Sequence, residues 1–352
     1  MADYTTIDNP GLFFNTVLYT GNGTDDHAIT GVNFQPDFVW IKTRSESNNH
    51  NLYDVIRGVN KPLKSNSTAS EFTRTDALKS FDSDGFTLDD DATSDEVNKN
   101  TVTYASWNWL GANGTASNSD GSISTTVSTN QTAGCSIVSY TGTGSAGTIG
   151  HGLGTTPAMG IFKNRSAGST HWRVWHQNLA NDKILELSDT TAAHTPGTAD
   201  FNISNNSSTV WGLSTNSQSN GSGNSMIAYI FAEKQGYSKF GGWTGNGQSS
   251  GPFIYTGFRP AFLSWKMTSS TENWYINDNK REPFNDDAMT VLYPNLSNAD
   301  GALNDEIDLL ANGFKINGTN SAHNTDGATY IYWAFAEHPF VTAGTKAAGT
   351  AR

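Results

Sequence analysis

One short pattern occurs three times along the chain and constrains the fold more than any other feature. Tyr19-Thr20-Gly21-Asn22-Gly23 returns as Tyr140-Thr141-Gly142-Thr143-Gly144 and again as Trp243-Thr244-Gly245-Asn246-Gly247. A proline follows the first glycine of each copy by 15 residues (Pro36, Pro157, Pro260), and a lysine follows each proline by six (Lys42, Lys163, Lys266). An aromatic residue closes each unit 73, 74 and 75 residues after its proline, at Trp109, Phe231 and Phe335. Repetition at fixed spacing sets the architecture before any local propensity does.

Within each unit the apolar runs are short and rich in Val, Ile, Phe, Tyr, Trp and Thr. Gly, Asn, Asp and Pro bound them, the pattern of strands joined by turns. Asn22-Gly23, Asn113-Gly114 and Asn246-Gly247 are turn dipeptides that accept positive φ. Each proline is expected just ahead of a strand, where a missing N–H matters least. Helical periodicity is absent, Asp305–Leu310 being the nearest approach, at one or two turns. The expected fold is all-β, with three tandem antiparallel β-sandwich repeats of jelly-roll-like topology. The boundaries read as an N-terminal arm at 1–17, repeats at 18–112, 135–242 and 243–341, and a tail at 342–352. Residues 113–134, rich in Ser, Thr, Asn and Gly, read as a flexible linker.

The charge balance narrows the function. Asp and Glu number 33 against 21 Lys and Arg, a net charge of −12, which argues against nucleic-acid binding because phosphate contacts need a basic face. The single cysteine, Cys135, excludes an intramolecular disulfide and a multi-cysteine zinc site. No apolar run approaches the ~20 residues of a membrane-spanning helix, and the first residues lack the pattern of a signal peptide.

Chemistry-bearing motifs are sparse. None of the eight histidines pairs at i,i+4, and His171 and His176 read as solvated or hydrogen-bonded groups flanking Trp172 and Trp175. Asp89-Asp90-Asp91 with Asp95 and Glu96 lacks EF-hand spacing and reads as a solvated acidic loop. Gly142–Gly147 resembles a phosphate loop but opens no helix. Asp54, Asp278, Glu233 and Glu337 are acids available to a glycosidase, yet no paired-acid motif frames them. No catalytic residue, metal or cofactor is therefore expected. Two placements remain as candidates. Trp172 and Trp175 stand three apart in one strand, so they face opposite sides, and one should be exposed as a ligand platform or lie at an interface. Leu12, Phe13 and Phe14 lie in an arm with no sheet of its own and should anchor on a partner, the alternative being packing onto the first unit of the same chain.

The units resemble a module of tailed bacteriophages, marine ones especially. The strings that carry the likeness are Leu18-Tyr19-Thr20-Gly21-Asn22-Gly23, Phe34-Gln35-Pro36-Asp37-Phe38-Val39-Trp40-Ile41-Lys42, Ser83-Asp84-Gly85-Phe86-Thr87, Ile137-Val138-Ser139-Tyr140-Thr141-Gly142-Thr143-Gly144, Gly150-His151-Gly152-Leu153-Gly154 and Gly251-Pro252-Phe253-Ile254-Tyr255-Thr256-Gly257-Phe258-Arg259-Pro260-Ala261-Phe262. The opening Tyr4-Thr5-Thr6-Ile7-Asp8-Asn9-Pro10 is also similar. This resemblance implies a non-enzymatic virion structural protein assembled in host cytoplasm. Its role would be a tail or head fibre or knob contacting host surface glycans, or a capsid decoration protein. The expected partners are other virion proteins and further copies of the chain in a homotrimer, by analogy with virion appendages, without nucleic acid or membrane. The rival expectation is a polysaccharide-depolymerising enzyme of the tailspike type.

Overall fold

The computed structural model describes residues 4–285, 288–304 and 307–342. The first stretch of chain holds β1 (Phe14–Thr20), β2 (His27–Thr30), β3 (Phe38–Thr43), β4 (Asn51–Asp54), β5 (Leu78–Asp82), β6 (Gly85–Leu88) and β7 (Thr103–Trp109). They form two sheets, ordered β1-β7-β3-β4 and β2-β6-β5. Ile29, Phe86 and Leu88 of the smaller sheet share one core with Val39, Ile41, Tyr53 and Tyr104 of the larger, so the pair is a sandwich.

The second stretch holds β8 (Ala116–Asn118), β9 (Thr125–Asn130), β10 (Cys135–Thr141), β11 (Gly147–Gly150), β12 (Met159–Asn164), β13 (Arg173–His176), β14 (Leu185–Glu186), β15 (Val210–Leu213) and β16 (Ser225–Phe231). Its large sheet runs β14-β13-β12-β16-β10-β9-β8, beside the pair β11-β15. The third holds β17 (Ser238–Thr244), β18 (Ser250–Tyr255), β19 (Phe258–Met267), β20 (Trp274–Asp278), β21 (Ala288–Val291), β22 (Gly301–Asn304), β23 (Ile307–Leu310), β24 (Gly313–Asn317) and β25 (Thr329–Pro339). Its sheets are β17-β25-β19-β20, β18-β24-β23 and β21-β22. The order β1-β7-β3-β4 thus reappears as β10-β16-β12-β13 and as β17-β25-β19-β20. Phe38 pairs with Trp109, Met159 with Phe231 and Phe262 with Phe335. Each first partner lies two residues after the marker proline. The molecule is all-β, and the two α-helices among the described residues, Ser217–Asn220 and Ser321–Asn324, are single turns.

Several expectations change. Residues 113–134 are no free linker, because β8 and β9 extend the second sheet beyond β10. Val127 is buried there, and Asp37 pins the entry. Its carboxylate accepts from Gly111 N at 2.8 Å, Asn113 N at 3.2 Å and Ser128 Oγ at 3.2 Å. Thr and Val at alternating positions supply β-propensity that the count of Ser and Gly conceals. Of Asp305–Leu310, the nearest approach to helical periodicity, Asp305 and Glu306 lie outside the described residues and Ile307–Leu310 forms strand β23. Pro260 lies inside β19, at a break in register that leaves its missing N–H unneeded. The acidic loop is not wholly solvated: Asp91 is buried beside Arg74, which also pairs with Asp76 and Glu96.

The outer faces of the three large sheets' sandwiches are separate cores, but their other faces build one common core. The closing aromatics meet at its centre, with ring separations of 6.5 Å for Trp109–Phe231, 5.7 Å for Trp109–Phe335 and 5.9 Å for Phe231–Phe335. Polar contacts run around the centre in one direction. Tyr229 Oη donates to Asp54 Oδ2 at 2.8 Å, and Trp107 Nε1 donates to Asp278 Oδ2 at 3.0 Å. His176 Nε2 lies 3.0 Å from Tyr332 O, while its Nδ1 accepts from Asn178 N at 3.1 Å, which makes Nε2 the protonated nitrogen. Burial holds His176 neutral, its pKa lowered to about 4. The first stretch therefore grips the second, the second the third, and the third the first. A head-to-tail contact that closes in this way leaves no free end.

Candidate functional site

The groove that stands out on this frame lies along β17 and β18. It encloses about 500 Å³ and is lined by Gln177, Asn178, Lys239–Trp243, Pro252–Tyr255 and Tyr332. Phe253 and Tyr255 share its face because strand side chains alternate, while Ile254 between them is buried in the sandwich. Phe253 is 46% and Tyr255 53% exposed, unlike the other aromatic side chains of this region, Phe240, Trp243 and Tyr332, which are buried.

The register tells which residues occupy the same place elsewhere in the chain. Ile254 pairs with Phe314 as Ile29 pairs with Phe86 and Ile149 with Trp211. Phe253 and Tyr255 thus stand where the first stretch has Ala28 and Thr30 and the second Thr148 and Gly150. Across the groove, Gly241 opposes Tyr332 where Val17 opposes Ser106 and Val138 opposes Ala228. A Cβ on Gly241 would stand 2.6 Å from the Tyr332 ring, so the small residue makes room for the large one. The strand pairing requires none of these aromatic substitutions.

Polar groups line the rest. Gln177 Nε2 donates to Phe240 O at 2.5 Å and lies 3.4 Å from Glu233 Oε2. Lys239 Nζ and Glu233 Oε1 are 2.5 Å apart, so the two ionic groups neutralise one another. Tyr4, from the N-terminal arm, donates to Gly257 O at 2.6 Å and places its hydroxyl 3.2 Å from that of Tyr255. Burial, then the Tyr255 hydroxyl, raise the Tyr4 phenol above its ordinary pKa. The arrangement offers ring faces flanked by amides and hydroxyls, with no unbalanced charge among these residues.

The residues singled out from sequence lie elsewhere. Trp172 and Trp175 do face opposite sides, but both are buried and neither offers a ligand platform. Trp172 joins the common core and donates to Lys64 O at 2.9 Å, while Trp175 packs 5.7 Å from Trp211 in the second sandwich. The interface that Trp172 occupies is internal. Phe14 is also buried, within 5.6 Å of Trp109, Phe262 and Phe335. Phe13 packs 6.0 Å from Tyr237, and only Leu12 is exposed. The arm finds the third stretch of its own chain, because the turn of the sheets brings that surface beside β1. Anchoring on a partner through Phe13 and Phe14 is corrected accordingly.

The acids are engaged too. Asp54 pairs with Arg57 at 2.5 Å and Asp278 with Arg281 at 2.7 Å, all four side chains fully buried, and Glu337 pairs with Arg259 at 3.2 Å. Asp200 has its pKa raised to about 6 by burial, opposed by Arg173, but its side chain has no exposed surface for a substrate. Cys135 is buried and its thiol pushed well above the ordinary range by burial. Among the described residues one group of metal-ligating type converges: His171, Glu186 and Asp189 bring ligand atoms within 4.8 Å of one another. Sequence reading missed it because the hairpin β13–β14 is what joins residues 15 apart. It also passed over Phe253 and Tyr255, although their exchange for Ala28 and Thr30 was visible once the copies were aligned.

No curated protein and no solved structure matches the chain. One family model does, the domain of unknown function DUF7483, and it spans residues 9–339, all three stretches and the common core together. By that match the chain belongs to the DUF7483 family.

Proposed function

We propose that this is a non-enzymatic surface protein of a bacteriophage virion, built from three copies of one β-sandwich module, whose groove on the third copy contacts host-surface glycan. The observation that carries the reading is the pair Phe253 and Tyr255, exposed where the corresponding strands bear Ala28 and Thr30 or Thr148 and Gly150. Exposed aromatic faces beside amide and hydroxyl groups suit a ligand with apolar C–H faces and polar edges, which is the character of a pyranose. The balanced Lys239–Glu233 pair and the net charge of −12 favour neutral sugars over anionic ones. The phage setting rests on the resemblance of the repeated strings.

The inward faces of the three large sheets already cover one another within one chain. A homotrimer on the virion would therefore assemble through outward surfaces and present three grooves, turning weak single contacts into avidity. The test is adsorption of the purified chain to host cells and to immobilised neutral glycans, alongside a chain carrying Phe253→Ala and Tyr255→Thr. Binding that drops at least about tenfold in the variant is expected. Equal binding by both refutes the groove, and binding only to assembled capsids would establish a decoration role. Release of reducing ends from host polysaccharide would restore the depolymerase reading.

A further inference from the structure

We propose that the second module carries a divalent transition-metal site formed by His171, Glu186 and Asp189. His171 lies two residues before β13, Glu186 ends β14 and Asp189 lies in the turn that follows. The antiparallel register, with Arg173 opposite Glu186, brings the three together. Glu186 Oε2 stands 3.2 Å from His171 Nδ1, and the Ser188 hydroxyl is also 3.2 Å from that nitrogen.

Both carboxylates are oriented from outside the cluster. The Arg173 guanidinium holds Glu186 Oε1, which leaves Oε2 toward the imidazole. Thr191 holds Asp189 Oδ1 through its backbone N at 2.9 Å and its hydroxyl at 2.7 Å. Outer partners that fix one oxygen of a ligating carboxylate are the usual support of a metal site. An ion has a way in, since the His171 side chain is 31% and that of Glu186 11% exposed.

The two corresponding places in the chain are an independent control. Leu63 bridges Leu52 and Leu292 bridges Ile276 as Leu185 pairs with Val174, so Lys64 and Tyr293 occupy the place of Glu186. Asn66 and Asn295 occupy that of Ser188: they accept from His50 N and Trp274 N as Ser188 accepts from Trp172 N. In both places a hydrogen bond between side-chain amides closes the corner, Asn66 Nδ2 donating to Asn49 Oδ1 at 2.9 Å and Asn295 Nδ2 to Asn273 Oδ1 at 2.8 Å. The fold is satisfied there by a neutral pair of asparagines. Only the second module replaces it with an imidazole, a hydroxyl and two carboxylates.

That donor set defines the ion. Asp189 and the Glu186 oxygen left free by Arg173 supply oxygen ligands, and the imidazole nitrogen favours Zn²⁺ or Mn²⁺ over Ca²⁺, which takes oxygen ligands. The bound ion would brace the loop that meets the third module, where Glu272 N donates to Thr190 O at 3.0 Å and Trp274 Nε1 to Glu186 O at 2.9 Å.

The experiment is calorimetric titration of the chelator-treated full chain with ZnCl₂, MnCl₂ and CaCl₂, with melting curves in parallel. One Zn²⁺ or Mn²⁺ per chain, bound at least about tenfold more tightly than Ca²⁺ and raising the melting temperature, is the expected result. The combined change His171→Asn with Ser188→Asn rebuilds the amide pair of the other two modules, so the chain should fold while losing at least about tenfold in affinity. Absence of saturable binding, equal affinity for Ca²⁺, or undiminished binding by the folded variant would each overturn the proposal.

Discussion

The first and third stretches of the chain share a strand order yet have opposite surfaces. Val17, Ser106, Ala28 and Thr30 of the first are replaced at the same positions of the third by Gly241, Tyr332, Phe253 and Tyr255. Facing the centre, the two agree: Trp109 and Phe335 touch one another, and Asp54–Arg57 and Asp278–Arg281 form the same fully buried ion pair at the same spacing. The difference shows where the fold exerts constraint. Positions that meet at the centre are tied to three sheets at once, whereas the exposed positions of the small sheets, Ala28 and Thr30 or Phe253 and Tyr255, answer only to their own neighbours and are open to a binding role.

The sharpest break of this comparison is at the centre. Trp109→Ala should cost about 3–5 kcal/mol, and denaturation followed by fluorescence and by circular dichroism should show one coincident transition. Separate transitions for separate modules would mean that the common core does not couple them.

The lysines test the same idea by pH. Lys42, Lys163 and Lys266 are buried at corresponding strand ends, and burial lowers their pKa to about 7, 8 and 8 from 10.5. Lys163 Nζ donates to Thr170 O at 2.8 Å and to Thr170 Oγ1 at 2.7 Å. Between the folded and unfolded values the unfolded chain binds the proton and the folded chain does not, so stability rises with pH in that window. The slope is about 1.4 kcal/mol per pH unit for each lysine. Urea denaturation between about pH 8 and 10 should show this rise, and Lys163→Met should reduce the slope by one lysine's share. A slope unchanged by the substitution would remove Lys163 from the account.

Exchanging the two surfaces gives smaller effects. Gly241→Val should destabilise by about 1–3 kcal/mol through its clash with Tyr332. Adding Tyr332→Ser removes the clash but also a side chain buried against Phe314 and Trp243, so a double-mutant cycle should show favourable coupling of about 0.5–3 kcal/mol without restoring the original stability. Phe253→Ala with Tyr255→Thr should change stability by no more than about 0.5 kcal/mol. A larger loss would show that these side chains serve the fold.

Much of this architecture was legible beforehand, and particular residues show why the rest was not. Gly23, Gly144 and Gly247 take positive φ in turns and Pro36 and Pro157 precede strands, demands that are local and announce themselves in linear order, whereas Gly21, Gly142 and Gly245 are kept small by backbone far along the chain. Trp172 and Phe14 were misread because an aromatic residue looks the same whether it faces water or a second sheet. Phe253 and Tyr255, the centre of the candidate groove, were hidden in a strand string that resembles its neighbours. His171, Glu186 and Asp189 are silent in sequence because a hairpin alone makes them a group.

By itself the sequence determined strands, turns and the recurrence of their order, since β-propensity, positive-φ glycines and alternation act over a few residues. Only the tertiary structure decided that the three sheets turn one face inward, that β8 and β9 extend the second sheet, and that the arm crosses to the third stretch. Those outcomes depend on which apolar faces can cover each other in three dimensions, and burial of apolar surface is non-directional, so no spacing along the chain encodes it.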